Sequence, residues 1–294
     1  MEEQNSKNWY DKSHKIMLII PLVLFLFSII YLYNFNEKNG DIIHKDVSLT
    51  GGTTIAVFDG SVDIDKLTKT LKEQLPDLNI RVISDILTGK QKGFFITTKE
   101  DANKTKSALE KDLGYALTTE NSSVEFSSST LSAGFYQQLK YAILLSFIFM
   151  ALVVFVIFRT PAPSGAVILC ALADIIMTIA TVNLIGMHLS SAGIIAFLML
   201  IGYSVDTDIL LTTRLIKKHE GSINHRVFDA FKTGITMTLT SIAAVSVSLI
   251  AIYSLSETLR QIFTILLIGL GFDIINTWIT NASLLKWYME AKNK

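Results

Sequence analysis

The stretch that decides the fold is Ile201-Gly202-Tyr203-Ser204-Val205-Asp206-Thr207-Asp208-Ile209-Leu210-Leu211, inside an apolar run over residues 191–213. That run can cross a bilayer as a helix, because a hydrocarbon core about 30 Å thick takes about 20 residues. An ionised acid near the centre of such a helix costs about 2.5–3.5 kcal/mol on insertion scales. Such acids usually face a protein interior or a wet cavity. Asp206 and Asp208 are therefore candidate ion-coupling residues.

The spacing of the two acids separates them. Successive residues of a helix are rotated by about 100°, so positions two apart point to nearly opposite sides. We predict that Asp206 lines a hydrated pocket in the bundle, with the Ser204 hydroxyl beside it and Gly202 allowing a neighbouring backbone to come close. Asp208 then faces a partner subunit or the cytoplasmic end; the alternative is that it reaches out to the membrane interface.

The composition indicates a polytopic membrane protein. Half of the 294 residues are hydrophobic, and the apolar residues are clustered into six runs long enough to span a bilayer. The 26 basic and 26 acidic residues balance, so bulk charge gives no indication of nucleic-acid binding. The single cysteine, Cys170, cannot form an intramolecular disulfide. The first run lacks an Ala-x-Ala cleavage site and is predicted to be a retained helix. No metal or cofactor motif is predicted.

The predicted spans divide the chain into three parts. Residues 1–33 hold a polar tail and the first span, residues 34–138 form a separate domain, and residues 139–294 form a five-helix bundle with a tail. The bundle spans are predicted at 139–158, 165–185, 191–213, 234–253 and 261–285. Arg159, the basic loop over 214–232 and the C-terminal lysines all fall on one side, whereas the loops near His188 and Glu257 are poor in lysine and arginine. The positive-inside rule therefore predicts cytoplasmic termini and an extracytoplasmic domain in the plasma membrane.

The extracytoplasmic domain alternates strand-like and helix-like patterns. Strands are predicted at 47–59, 80–86, 93–98 and 123–128, and helices at 62–75 and 101–113, with Asp101 as an N-cap. This β-α-β-β-α-β order is typical of a ferredoxin-like unit. Gly51-Gly52 interrupts the first strand and predicts a bulge or a close backbone approach rather than a phosphate loop.

Other polar residues lie within the predicted spans. Asp174 lies midway through its span, where burial against a hydroxyl or lysine partner is expected, with a part in coupling. Asp273, Asn276 and Thr277 share one helix face and predict a polar helix-packing seam. The many hydroxyls of the fifth span fit either close helix packing or a wet route. Lys232 is predicted to be an anchor at the cytoplasmic boundary.

Together these residues resemble the SecF family, whose members form the smaller subunit of the SecDF complex in the RND superfamily. The resemblance rests on the order of spans and domain and on four stretches: the segment from Asp46 through Gly51 and Gly52 to Thr53, Ala173-Asp174, the segment from Gly202 to Arg214, and Gly269-Leu270-Gly271. It implies a non-enzymatic membrane protein that pairs with a SecD-like subunit beside the Sec translocon. Such a complex assists an unfolded polypeptide in crossing the lipid membrane, using the proton gradient through membrane carboxylates.

The chain departs from the common SecF pattern at three positions. Ala173 stands where a histidine is common, Thr207 where the acid of the fourth span commonly falls, and Lys232 where arginine is common. Asp206 instead takes the position of the acid in SecD, a pattern similar to an archaeal branch. Two alternatives stay open. An intramembrane aspartyl protease could use two acids on different spans, although Phe272 separates Gly271 from Asp273. A half-size exporter of small molecules from the same superfamily is the other.

Overall fold

The computed structural model describes residues 15–75, 77–85, 88–217, 221–253 and 256–292. The predicted N-terminal tail, the last residue of the strand at 80–86 and the middle of the basic loop lie outside these residues. Among the described residues, six helices are long and apolar enough to cross a membrane, as predicted. They cover Lys15–Asn39, Leu131–Phe158, Pro161–Leu184, Ser191–Lys217, Ile223–Ile252 and Glu257–Lys292.

Most of the helices in these spans are longer than the apolar runs that predicted them. Helix α1 is Ile19–Asn39, so it continues past the predicted limit at residue 33. The next long helix, α5, is Ser129–Phe158 and begins before the predicted start at residue 139. It is followed by α6 (Pro161–Leu184), α7 (Ser191–Lys217) and α8 (Ile223–Ile252). Apolar length marks the part of a helix that lies in lipid, whereas the backbone hydrogen bonds continue into the polar flanks.

The last span is not one regular helix, contrary to the prediction over 261–285. It consists of α9 (Glu257–Ile275), a π-helical turn (Asn276–Asn281) and α10 (Ala282–Lys292). In a π-helix each N–H bonds to the carbonyl five residues earlier, so one extra residue is accommodated per turn. Such turns occur frequently at functional sites. Here the turn carries Asn276, Thr277 and Asn281, all of which are buried.

Helices α6, α7 and α9 form the centre of the bundle, and α1, α5 and α8 lie at its edge. About 60% of the α6 span is buried, against only 6% of the α8 span. Phe197 and Leu200 of α7 pack against Ile265 and Leu266 of α9 to form the largest apolar cluster of the bundle. Ridge-to-groove packing of this kind fixes how the polar residues of the central helices face one another.

A sheet domain lies between α1 and α5. Its elements are α2 (Val47–Thr50), β1 (Gly52–Val57), α3 (Ile64–Lys72), β2 (Asn79–Ser84), β3 (Gln91–Thr98), α4 (Ala102–Leu113) and β4 (Ser122–Ser127). The strands pair antiparallel in the order β2-β3-β1-β4, with Ile55 opposite both Ile96 and Val124. Helices α3 and α4 cover one face, where Leu71 and Leu109 pack against Phe94 and Ile96.

The predicted strand over 47–59 is wrong in its first part. Val47–Thr50 is a short helix that ends at Gly51, whose φ is 88°, and the strand begins at Gly52. The predicted close approach at the glycine pair is confirmed, because a Cβ on Gly52 would lie 2.3 Å from the Thr98 carbonyl oxygen. No bulge interrupts the pairing of β1 with β3. The N-cap at Asp101 is also confirmed, since its side chain accepts a hydrogen bond from the Asn103 N–H.

The sheet domain is tied to the bundle at the turn between α6 and α7. The Asp46 N–H donates to the Leu189 carbonyl at 3.0 Å, and the Leu189 N–H donates to the His44 carbonyl at 2.6 Å. Arg81 of β2 forms an ion pair with Glu257 at the start of α9, with 2.7 Å between nitrogen and oxygen. These contacts join the sheet domain to two of the three central helices.

Candidate functional site

The central helices bring three carboxylates into the interior of the bundle. Asp174 of α6 and Asp208 of α7 are 0% exposed, and Asp273 of α9 is 1% exposed. Among the described residues, no lysine, arginine or histidine forms a salt bridge with any of them. Burying charge without a counter-ion is costly, so hydroxyls, amides and bound protons must balance this cluster. We call these three residues the acid cluster.

Asp174 receives a donor at each carboxyl oxygen. The Ser204 hydroxyl of α7 donates to Oδ2 at 2.5 Å, and the Asn276 side-chain amide donates to Oδ1 at 2.6 Å. The prediction that Asp174 is buried against a hydroxyl is therefore confirmed. These two bonds link α6 to both α7 and the π-helical turn of the last span.

Asp208 is bound at one carboxyl oxygen only. Its Oδ1 accepts from the Asn281 amide at 2.7 Å and lies 3.0 Å from the Thr277 hydroxyl. Its Oδ2 is buried and has no hydrogen-bond partner among the described residues. The prediction that Asp208 faces a partner or the membrane interface is wrong. Asp208 belongs to the buried stripe of α7 that includes Ser204, Val205 and Leu211.

Asp273 is surrounded by hydroxyls. Its Oδ1 lies 3.1 Å from the hydroxyl of Thr277, and the Thr207 hydroxyl lies 3.3 Å and 3.2 Å from its two carboxyl oxygens. The predicted polar seam of Asp273, Asn276 and Thr277 is confirmed. Asp273 belongs to the acid cluster, and Asn276 and Thr277 contact its carboxylates. Thr207, which the sequence resemblance placed at an acid position, contacts Asp273 through its hydroxyl.

Asp206 lies outside the cluster. It is on the exposed side of α7 together with Gly202 and Tyr203, whereas Ser204 turns to the opposite side and bonds Asp174. The prediction that Asp206 lines the bundle pocket with Ser204 beside it is therefore wrong. The two acids do point in opposite directions, as their spacing requires, but the assignment of inside and outside was reversed.

The remaining predicted supporting residues also lie away from the cluster. Lys232 is exposed, and its ammonium group lies 4.6 Å from the centre of the Phe228 ring. The threonines of α8 mostly donate to their own helix, as Thr236 does to Lys232 and Thr240 to Thr236. These contacts therefore do not support a hydrated pathway along α8. Asp46 and the glycine pair belong to the sheet-domain junction.

The acid cluster is lined by hydroxyl groups. The Thr277 hydroxyl lies between Asp208 and Asp273, whereas the Ser204 hydroxyl contacts Asp174 and the Thr207 hydroxyl contacts Asp273. A hydroxyl can both donate and accept a hydrogen bond. No group of three or more His, Cys, Asp or Glu side chains among the described residues converges to hold a metal ion. A sequence signal for the cluster existed in the shared stripe of Ser204, Asp208 and Leu211, at spacings of four and three.

A second feature is a cleft of about 340 Å³ between the open face of the sheet and the starts of α7 and α9. Arg81, Phe95, Glu125, Ser190 and Glu257 are among its lining residues. The buried side-chain amide of Gln261 closes its inner end, accepting from Ser190 and donating to the His188 carbonyl. The cleft therefore lies at the joint between the sheet domain and the bundle.

The fold and the acid cluster define a multi-pass α-helical membrane protein with a separate sheet domain and titratable groups buried between its central helices. Residues 107–291 match the family described as "Protein export membrane protein SecD/SecF, C-terminal". The chain is 38% identical to the protein-export membrane protein SecF of Methanocaldococcus jannaschii, over 95% of this chain and 96% of that one. It is 37% identical to the SecF of Methanothermobacter thermautotrophicus, over 96% and 95% of the two chains. The chain belongs to the SecF family of protein-export membrane proteins.

A solved structure shows the same fold. The crystal structure of SecDF, a translocon-associated membrane protein from Thermus thermophilus, superposes with a TM-score of 0.74 at 16% sequence identity. The match covers 96% of this chain but spans only 38% of that one. Family membership does not favour the protease and exporter alternatives.

Proposed function

We propose that this chain works in protein export as the SecF half of a SecD–SecF complex, assisting an unfolded polypeptide in crossing the plasma membrane and drawing on the proton gradient. The observation that carries the proposal is the acid cluster, in a chain whose relatives are named protein-export membrane proteins. Buried membrane carboxylates are costly and mark proton or ion routes. The Sec translocon is the expected neighbour, because the similar Thermus protein is described as translocon-associated.

The sheet domain is proposed to be ferredoxin-like and extracytoplasmic. Its β-α-β-β-α-β order and the position of both helices on one face support that fold. The orientation rests on Arg159, between α5 and α6, and on Arg214, in the last turn of α7, both at the end of the bundle away from the sheet domain. An excess of lysine and arginine marks the cytoplasmic side.

The proposed partner half packs on the exposed face of α7. Asp206 lies near the middle of a membrane span on that face, and a Cβ on the neighbouring Gly202 would meet no atom within 4 Å. A carboxylate there needs protein or water beside it rather than lipid. A second set of spans related by pseudo-two-fold symmetry would supply that cover. The 38% share of the Thermus chain fits a half-complement of spans.

The coupling residues are proposed to be Asp174, Asp208 and Asp273 rather than Asp206. A proton that binds or leaves between α6, α7 and α9 changes the charge at the contact of three central helices. Such a change can favour one of two helix arrangements over the other. The turn between α6 and α7 then carries the movement to the sheet domain through Leu189 and Gln261.

The experiment compares Asp208→Asn with Asp206→Asn in gradient-driven export from vesicles that hold the whole complex. Asparagine keeps the size of the side chain but cannot titrate. Asp208→Asn is expected to reduce the gradient-dependent part of export by at least about tenfold, while complex yield is kept. Asp206→Asn is expected to lower recovery of the SecD-like subunit instead. Normal export by Asp208→Asn, with loss in Asp206→Asn, would contradict the proposed assignment.

A further inference from the structure

A count of hydrogen atoms around Thr277 constrains the protonation of the acid cluster. The Thr277 Oγ1 atom lies 3.0 Å from Asp208 Oδ1 and 3.1 Å from Asp273 Oδ1. Both are hydrogen-bonding distances. A threonine hydroxyl carries one hydrogen, so it can donate to only one of these oxygens at a time.

The second contact needs its own hydrogen. An ionised carboxylate only accepts hydrogen bonds, whereas a protonated carboxyl also donates one. If both acids were ionised, one of the two contacts would place lone pairs of two buried oxygens against each other without a hydrogen between them. Leaving such a buried contact unsatisfied is costly. One of the two carboxyls must therefore donate to Thr277.

The surrounding donors indicate which acid carries the proton at rest. Asp273 can accept from Thr277, and it can accept from Thr207 when the Thr207 hydroxyl turns away from the Ser204 carbonyl, which lies 3.0 Å from it. Both contacts suit an ionised carboxylate. Asp208 Oδ2 is buried and has no partner among the described residues, a poor setting for negative charge. These surroundings fit a protonated Asp208 and an ionised Asp273.

We propose that Asp208, Thr277 and Asp273 form a proton relay in which two acids share one proton through the threonine hydroxyl. In the transfer step, the O–H bond of Asp208 breaks and its proton forms a bond with Thr277 Oγ1. The original Thr277 proton moves to Asp273, so the hydroxyl is regenerated. The charge moves from Asp273 on α9 to Asp208 on α7, and no proton is gained or lost. Thr277 is thus a positioning residue between two titratable groups.

The π-helical turn gives the relay its geometry. Thr277 and Asn281 both belong to this turn, and both contact Asp208 across the helix interface. Asn281 donates to the same Asp208 oxygen that faces Thr277, and this second donor is kept in either protonation state because an amide N–H remains a donor. The relay therefore crosses from the last span to α7 at the point where the last span departs from regular helix.

Infrared spectroscopy of the purified full chain tests the shared proton without any export assay. A protonated carboxyl has a C=O stretching band that depends on whether its O–H has an acceptor, and exchange into D2O identifies it. The band should be lost in Asp208→Asn. It should keep its frequency in Thr277→Ser, which retains a hydroxyl, and move to that of an acid without an acceptor in Thr277→Val.

The matched pair at residue 277 separates the relay from a structural role. Valine has nearly the shape of threonine, and thermal unfolding of both variants controls for folding. A Thr277→Val protein that folds and keeps the wild-type band would overturn the relay, as would a band unchanged in both Asp208→Asn and Asp273→Asn. The use of the relay in export rests on the proposed function, and predicts that Thr277→Val loses roughly tenfold or more of gradient-dependent export while Thr277→Ser does not. The infrared spectrum tests the relay without translocation, and the export assay tests its use in the proposed function. A failure of one can therefore be told from a failure of the other.

Discussion

The imidazole of His188 stacks on that of His44 at the joint between the sheet domain and the bundle, with 5.4 Å between ring centres. Burial lowers the pKa of His188 from its ordinary value of 6.5, and the charges of Arg81 and His44 lower it further, against an opposing effect of Asp46. The fold therefore favours neutral His188. Its contribution to stability is complete above about pH 6.5 and is lost as the pH falls through the lowered pKa, because the unfolded chain takes the proton first.

We expect the thermal unfolding temperature of the wild-type chain to fall between about pH 8 and about pH 5, and to fall less steeply in His188→Gln. Glutamine keeps a polar side chain of similar reach but does not titrate. His225, which is largely exposed, gives the matched control, so His225→Gln should keep the wild-type slope. An unchanged slope in His188→Gln would show that another group controls the acid sensitivity.

Asp206 and Asp208 show how far residue-level prediction reaches. Their opposite directions follow from helical geometry alone and are confirmed. Which of them is buried depends on which side of α7 meets α6 and α9, and a single span has no strong apolar asymmetry because lipid and interior are both apolar. The hydroxyls and amides of the last span were visible in the sequence. These side chains reach Asp208 because of the π-helical turn, and no local sequence pattern predicted that turn.

At the scale of elements, close approach of α8 to the last span depends on Gly234. A Cβ added to Gly234 would lie 2.4 Å from the Trp278 ring, and Trp278 belongs to the π-helical turn. Gly234→Ala is expected to destabilise the chain by about 1–3 kcal/mol, since added volume forces side chains and backbone to shift. The measurement is the unfolding temperature in detergent.

Gly165→Ala is the control for that substitution. A Cβ on Gly165 would meet nothing within 4 Å, and alanine favours helix over glycine by about 1 kcal/mol. It should leave stability unchanged or raise it. Equal effects of the two substitutions would mean that the Gly234 contact is relaxed in the membrane.

The elements themselves were largely predictable, for physical reasons that differ between the two parts of the chain. Apolar length predicts the spans, and alternation of apolar and polar residues predicts the strand at 80–86. The helix at Val47–Thr50 was missed because its β-branched and apolar residues also fit a strand, and the break depends on the positive φ of Gly51. Tertiary contacts determine whether such short segments form a helix or a strand.

At the scale of the whole molecule, the bundle has two chemically different ends. The sheet domain and the ion pair of Arg81 with Glu257 lie at one end. Arg214 and Arg226 lie at the other, where they donate to the backbone carbonyls of Asp229 and Leu215. Positive charge resists transfer across the membrane during insertion, so we expect this second end to be cytoplasmic. In the proposed orientation, the sheet domain would lie on the side from which an exported chain emerges.

Labelling of single cysteines in intact cells tests this orientation. Cys170 is buried and gives little background with an impermeant maleimide. Lys99→Cys lies in the sheet domain, where the lysine side chain is 59% exposed, and should react from outside. Lys217→Cys lies at the exposed end of α7 and should react only after the membrane is opened by detergent. The reverse pattern would invert the topology and place the sheet domain in the cytoplasm.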